Sequence, residues 1–282
     1  MKAVLLALVA VLALAGCEPS DATPRRTIYA SLYPLQYVAQ RIAGDHFEVV
    51  NLTKPGQEPH DTELSLRRTA ELSEAALVVY DKGLAGAIDD GVAAADPDYV
   101  VDARALSHSG EDDPHVWLSP DNMATIGSAI EQQLAEIDPA RKADYEKNLR
   151  SLESDLMGLT ADYRSGLEEC AITTVVVSHD AYRNLPTPFT WAPINGLSPE
   201  AEPSPAHIAE LRQLIERTHI TTVFSEELAS PEMALSLAAD LGLRTEVLDP
   251  IEGLSEKTSS EDYLSLMRQN LTKLQEANQC KS

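Results

Sequence analysis

The sequence predicts an α/β protein of two lobes, each with a parallel sheet, joined by one long rigid α-helix. Short β-branched runs alternate with helix-patterned segments in the first and last thirds of the chain, the pattern of parallel sheets. Between them lies a proline-free stretch whose apolar residues fall three and four apart. The 282 residues, 44% of them hydrophobic, suffice for one large domain or two lobes of ordinary size.

In the first part "TIYASL" from Thr27, "FEVVNL" from Phe47, "ALVVY" from Ala76 and "YVVDA" from Tyr99 read as strands. "LQYVAQRIAG" and "TELSLRRTAELSEA" read as helices between them. Ser119 followed by Pro120 is an N-cap with a first-turn proline, and Asp138 followed by Pro139 repeats the device. The second of the two helices so announced runs from Pro139 to Glu168, about 30 residues and about 45 Å. Strands resume with "TTVVVSH", "FTWAPIN", "TTVFSEE" and "TEVLD", separated late in the chain by "SPAHIAELRQLIERT" and "PEMALSLAADLG" and closed by "SEDYLSLMRQNLTKLQEANQ". The expected partition is an N-terminal lobe over 27–118, linking helices over 119–168 and a C-terminal lobe over 169–282.

The N-terminus "MKAVLLALVAVLALAGC" carries one lysine, an apolar run from Ala3 to Ala15 and then small residues, the layout of a secretory signal over 1–16. That run is too short to span a bilayer comfortably. Leu14-Ala15-Gly16-Cys17 resembles the bacterial lipobox, which implies lipidation at Cys17 and an extracytoplasmic, membrane-anchored protein; ordinary cleavage is the alternative. Residues 17–26 are polar and contain proline, suiting a flexible tether. With Cys17 assigned, Cys170 and Cys280 remain as an even pair in an oxidising setting, so a disulfide is expected, with two free thiols as the alternative.

The net charge of −23, from 45 acidic and 22 basic residues without a Lys/Arg cluster, argues against nucleic acid as a partner. Ligands of parallel sheets bind beyond the carboxyl ends of the strands, so the polar residues found there are the informative ones. His60 lies in the loop after "FEVVNL", His115 in "DPHVWLSP", His179 at the end of "TTVVVSH" and Asp249 at the end of "TEVLD". Three imidazoles and a carboxylate form a proper tetrahedral set for Zn2+, whereas Mn2+ favours more oxygen. Singly, each has an ordinary alternative as a hydrogen-bonded loop residue or a turn former; the coincidence of all four carries the metal reading.

The succession "PGQEPHDTEL", "DPHVWLSPDN", "SHDAY", "NGLSPEAEPSPAHIAEL" and "VLDPIEGLS" resembles the zinc- and manganese-binding solute-binding lipoproteins of bacterial ABC importers, in order from Thr27 to the C-terminus. The resemblance implies a metal held in the interlobe cleft by two residues from each lobe, here His60 and His115 with His179 and Asp249. In manganese-binding relatives the position matching His179 is often glutamate, so histidine points to the zinc type. It also implies an ABC permease as the partner, a lipid-anchored monomer, and a carrier rather than an enzyme. Manganese carriage by the same family and a metal-dependent surface adhesin are the alternatives.

Departures from the family pattern are a short acidic loop, "LSHSGEDDPH" with His108, in place of a histidine-rich one, and Pro59 directly before the first ligand, with Glu58 one step back. The passage "DAYRNLPTPFTW" is also shorter than usual. Glu226 in "VFSEEL" is a candidate acceptor for an imidazole N–H, and Glu202 in "EAEPS" a candidate brace. His46, His207 and His219 are expected at the surface, Trp117 and Trp191 in packing. A closed four-ligand set leaves no open position for a hydrolytic water, and neither His-Glu-x-x-His nor Gly-x-Ser-x-Gly occurs.

Overall fold

A computed structural model describes residues 26–107 and 113–281. The signal segment, Cys17 and nearly all of the tether lie outside them, as do His108, Glu111 and Asp112 of the acidic loop.

The eight strand expectations all correspond to strands: β1 Thr27–Ala30, β2 Glu48–Asn51, β3 Leu77–Tyr80, β4 Val100–Asp102, β5 Thr174–Val177, β6 Thr190–Pro193, β7 Thr222–Ser225 and β8 Arg244–Val247. They form two four-stranded sheets, ordered β2-β1-β3-β4 and β6-β5-β7-β8, and every pairing is parallel. The two orders are the same pattern, so both sheets turn their carboxyl ends toward one crevice.

The helices are α1 Tyr33–Ala43, α2 Leu66–Leu72, α3 Gly86–Ala95, α4 Ala103–Leu106, α5 Pro120–Ile137, α6 Lys142–Gly166, α7 Pro205–Thr218, α8 Glu232–Leu241 and α9 Tyr263–Ala277. Three departures from expectation have local causes. Ser65 Oγ accepts from Arg68 N and starts α2 late, so "TELSLRRTAELSEA" yields only seven helical residues. The helices α3 and α4 lacked a sequence signal: the first is a small-residue segment, and the second is a single turn capped by Asp102. Ser119 does cap α5, through Asn122 N, whereas Asp138 makes no side-chain cap and Pro139–Arg141 form a 3-10 turn. The long helix is therefore 25 residues, about 37 Å, rather than 30.

That helix links the lobes without standing free. Its buried residues Tyr145, Leu152, Leu156, Leu159 and Tyr163 recur at three, four and seven, so one stripe faces α1, α5 and α9. The polar margins are tied as well: Arg41 to Asp155 at 2.7 Å, Asn148 to Ile42 O at 2.9 Å, and Tyr163 Oη to Met267 O at 2.7 Å. One hydrophobic core consequently runs from Ile28 and Val79 of the first sheet through α6 to Val177, Phe224 and Leu248 of the second. Smaller cores fill the outer faces, under α2 and α3 on one side and under α7 and α8 on the other.

Cys170 and Cys280 are joined in a disulfide across a sequence separation of 110 and form an antiparallel bridge that fixes the end of α9 beside the end of α6. Closing a loop of that length stabilises the fold by about 4–5 kcal/mol in the chain-entropy picture. Replacing both cysteines by serine is expected to lower the thermal midpoint by about 10 °C, read by calorimetry.

Candidate metal centre

Three of the four sequence-derived candidates converge. His60 sits in a 3-10 turn, Pro59–Asp61, after β2; His115 precedes the 3-10 turn Val116–Leu118 after β4; His179 follows β5. The carboxylate that meets them belongs to Glu252, just beyond the end of β8, and not to Asp249. The ligand atoms of His60, His115, His179 and Glu252 all lie within 4.8 Å of one another. His115 Nε2 is 3.2 Å from His179 Nε2, and Glu252 Oε1 is 3.4 Å from His115 Nε2 and 3.7 Å from both His60 Nε2 and His179 Nε2. Zinc bonds of about 2.0–2.2 Å in a tetrahedron require ligand atoms about 3.3–3.6 Å apart, so these separations fit Zn2+ to within a few tenths of an ångström. Both Glu252 oxygens and His60 Nε2 are buried without a hydrogen-bond partner. Orphaned atoms pointed at one another are the arrangement that a shared cation satisfies.

The placement of Asp249 corrects the expectation that it faces the cleft. Its Oδ1 accepts from Ile251 N at 2.8 Å, the short-range turn that an Asp before proline favours. The turn puts Ile251 at φ +59°, a conformation that a β-branched residue adopts only when its surroundings enforce it. Asn270 of α9 holds Asp249 at both its N–H and its carbonyl, Trp117 Nε1 donates to Pro250 O at 2.7 Å, and Tyr182 Oη donates to Leu248 O at 2.6 Å. Asp249 thus shapes the turn whose next step delivers Glu252. Glu252 stood unremarked within "VLDPIEGLS"; the signal for it was the Asp-Pro turn itself, which displaces the inward-facing position beyond the strand's last carboxylate.

Two imidazoles have their outer nitrogens engaged by carboxylates. His179 Nδ1 lies 2.5 Å from Glu226 Oε1, which also accepts the Ser178 hydroxyl, so Glu226 stands at the imidazole as the sequence suggested. His115 Nδ1 lies 2.9 Å from Asp113 Oδ1, an acid of the short loop that sequence reasoning did not single out. Each Nδ1–H donated to a carboxylate leaves the Nε2 lone pair facing the centre. Glu58 accepts from His60 N at 3.3 Å and caps its turn. Glu202 is exposed and stands apart from this group. His46 is exposed, 3.3 Å from Asp144, and His219 is exposed at the end of α7. His207 is half-buried, its Nε2 2.9 Å from Pro193 O, where the sequence suggested a surface position. Trp117 is fully buried, its ring edge against His115.

The electrostatics follow from burial and pairing. Burial pulls the His115 pKa down, but the hydrogen bond with Asp113 and the nearby Glu252 carboxylate outweigh it and hold it at about 9. Burial raises Glu252, yet the imidazoles of His115 and His60, 3.4 and 3.7 Å away, prevail and keep it well below the usual carboxylate range. Glu58 is pushed up to about 9 by burial and by the neighbouring Glu252 charge. Burial lifts Asp249 to about 6 against the Ile251 N–H. The centre reaches solvent on the His60 side, where a cleft of about 510 Å³ is lined by Lys82, Gly83 and Arg104 of one lobe and Leu197 and Ser198 of the other.

The zinc-binding lipoprotein AdcA of Streptococcus pneumoniae is 30% identical over 299 residues, an alignment covering 96% of this chain and 60% of that protein, so the chain spans well under the full length of this relative. The crystal structure of the Zn(II)-bound ZnuA-like domain of the same organism's AdcA superposes with a TM-score of 0.77 at 31% identity, covering 90% of this chain and 99% of that one. The laminin-binding protein Lmb of Streptococcus agalactiae, described as bifunctional with adhesin and metal-transporting activity, superposes with a TM-score of 0.80 at 26% identity, covering 89% and 99%. The family model described as zinc-uptake complex component A, periplasmic, matches residues 28–277, and the chain belongs to that family.

Proposed function

We propose that the chain is an extracytoplasmic zinc-binding protein that captures Zn2+ with high affinity and delivers it to the permease of an ABC-type metal importer. The observation that carries this reading is the convergence of His60, His115, His179 and Glu252, whose ligand atoms all lie within 4.8 Å of one another. Three nitrogens and one carboxylate suit zinc over manganese, and a fourth protein ligand closes the position a hydrolytic water would need. Asp113 and Glu226 orient two of the imidazoles. A signal over 1–16, a lipid on Cys17 and a tether over 17–26 would hold a monomeric domain near the membrane, with lobes over 27–118 and 169–282 about linking helices over 119–168.

Zinc binding should be saturable at one equivalent. Protein stripped with a chelator and titrated against a chromophoric competitor is expected to take one Zn2+ tightly and Mn2+ at least 100-fold more weakly. Equal affinity for the two ions, or no stoichiometric zinc, overturns the reading.

A further inference from the structure

We propose that Asn184 is a positioning residue for zinc capture, a clamp from the C-terminal lobe that sets the orientation of an imidazole in the N-terminal lobe. The proposal rests on the zinc-binding reading and adds to it a residue that touches no metal.

Asn184 closes the 3-10 turn Tyr182–Asn184 that follows β5 and His179. Its Nδ2 donates to Asp113 Oδ2 at 2.8 Å and to the backbone carbonyl of His115 at 3.1 Å. Asp113 spends its other oxygen on the same histidine, with Oδ1 3.0 Å from His115 N and 2.9 Å from His115 Nδ1. Asp113 and His115 are at most 5% exposed, so the bonds between them form away from competing water. Rotation of the Asp113 carboxylate about its own bond would swing Oδ1 off the imidazole. The amide of Asn184 blocks that rotation by fixing Oδ2, while its second bond fixes the backbone that carries the ring. His179 is oriented differently, by Glu226 and Ser178 of its own lobe. The two buried imidazoles thus have unlike supports, and only His115 depends on contact between the lobes. Binding at His115 is therefore coupled to the approach of the β5–β6 passage toward the His115 loop.

Outer groups that orient a metal-bound histidine typically change affinity 10- to 100-fold. The test is a double-mutant cycle on the full chain, with zinc affinity read by chelator competition for wild type, Asn184→Ala, Asp113→Ala and the double variant. Asn184→Ala is expected to weaken zinc about tenfold with Asp113 present and less than twofold once Asp113 is alanine. It should also change the visible spectrum of the Co2+-loaded protein, which reports ligand geometry, while leaving the thermal midpoint of the metal-free protein within a few degrees. An equal loss in both backgrounds, an unchanged Co2+ spectrum or no loss at all overturns the clamp. Wild-type protein without a tight zinc site would instead overturn the function on which it rests.

Discussion

Zinc affinity is expected to fall about 100- to 1000-fold when Glu252 becomes alanine, and less than tenfold when Asp249 becomes asparagine. The larger figure comes from sharing the ~10–16 kcal/mol of a four-ligand zinc site among its ligands, about 2.5–4 kcal/mol each. Glu252 is the one carboxylate among the four grouped side chains. Removing it takes away both a bond and the negative charge that offsets the ion. Asp249→Asn keeps an oxygen to accept from Ile251 N, and the bonds from Asn270, Trp117 and Tyr182 still hold the turn. Asp249→Ala removes that acceptor, loosens the turn at Ile251 and is expected to weaken zinc about tenfold by misplacing Glu252. Competition titrations of the three variants decide the matter. A larger loss for Asp249→Asn than for Glu252→Ala would make Asp249 the ligand.

Zinc binding is also expected to strengthen with pH well above the ordinary histidine range. An imidazole must be neutral to coordinate, and the environment of His115 holds its pKa at about 9 in the metal-free protein. Below that value zinc must displace a proton from His115, so the affinity falls toward tenfold for each unit of decreasing pH, or about 50-fold from pH 9 to pH 7. Glu252, held low, stays ionised across this range and adds no slope. An unperturbed imidazole would place the loss between about pH 6 and 7. The shift upward arises because Asp113 and Glu252 flank the ring. Asp113→Asn removes one of these supports and should move the onset toward lower pH. Affinities measured at constant ionic strength between pH 6 and 9 test this; a flat profile from 7 to 9 would refute it.

The strands and the three histidines were legible in the sequence because their signals are local. β-Branched runs such as "TTVVVSH" and "TTVFSEE" name the strands, and in a parallel sheet the residues just past each strand face the binding crevice. Glu226 was legible for the same reason. Asp113 was not, because its role depends on a single side-chain rotation toward His115 and on an amide from the other lobe. The length of α6 was overread: Pro139 marks a helix start in sequence, and the chain there forms a 3-10 turn first.

By itself the sequence pointed to two parallel α/β lobes about a long helix, to pairing of Cys170 with Cys280, and to a candidate centre built on His60, His115 and His179. Only the tertiary structure decided which carboxylate completes it. Ile251 is forced to positive φ by contacts with α9, Trp117 and Tyr182, and that turn aims Glu252 inward while Asp249 is used to make it. A direction imposed by residues 21, 66 and 133 positions away in the chain leaves no periodicity to read, so it becomes visible only once the lobes are packed together.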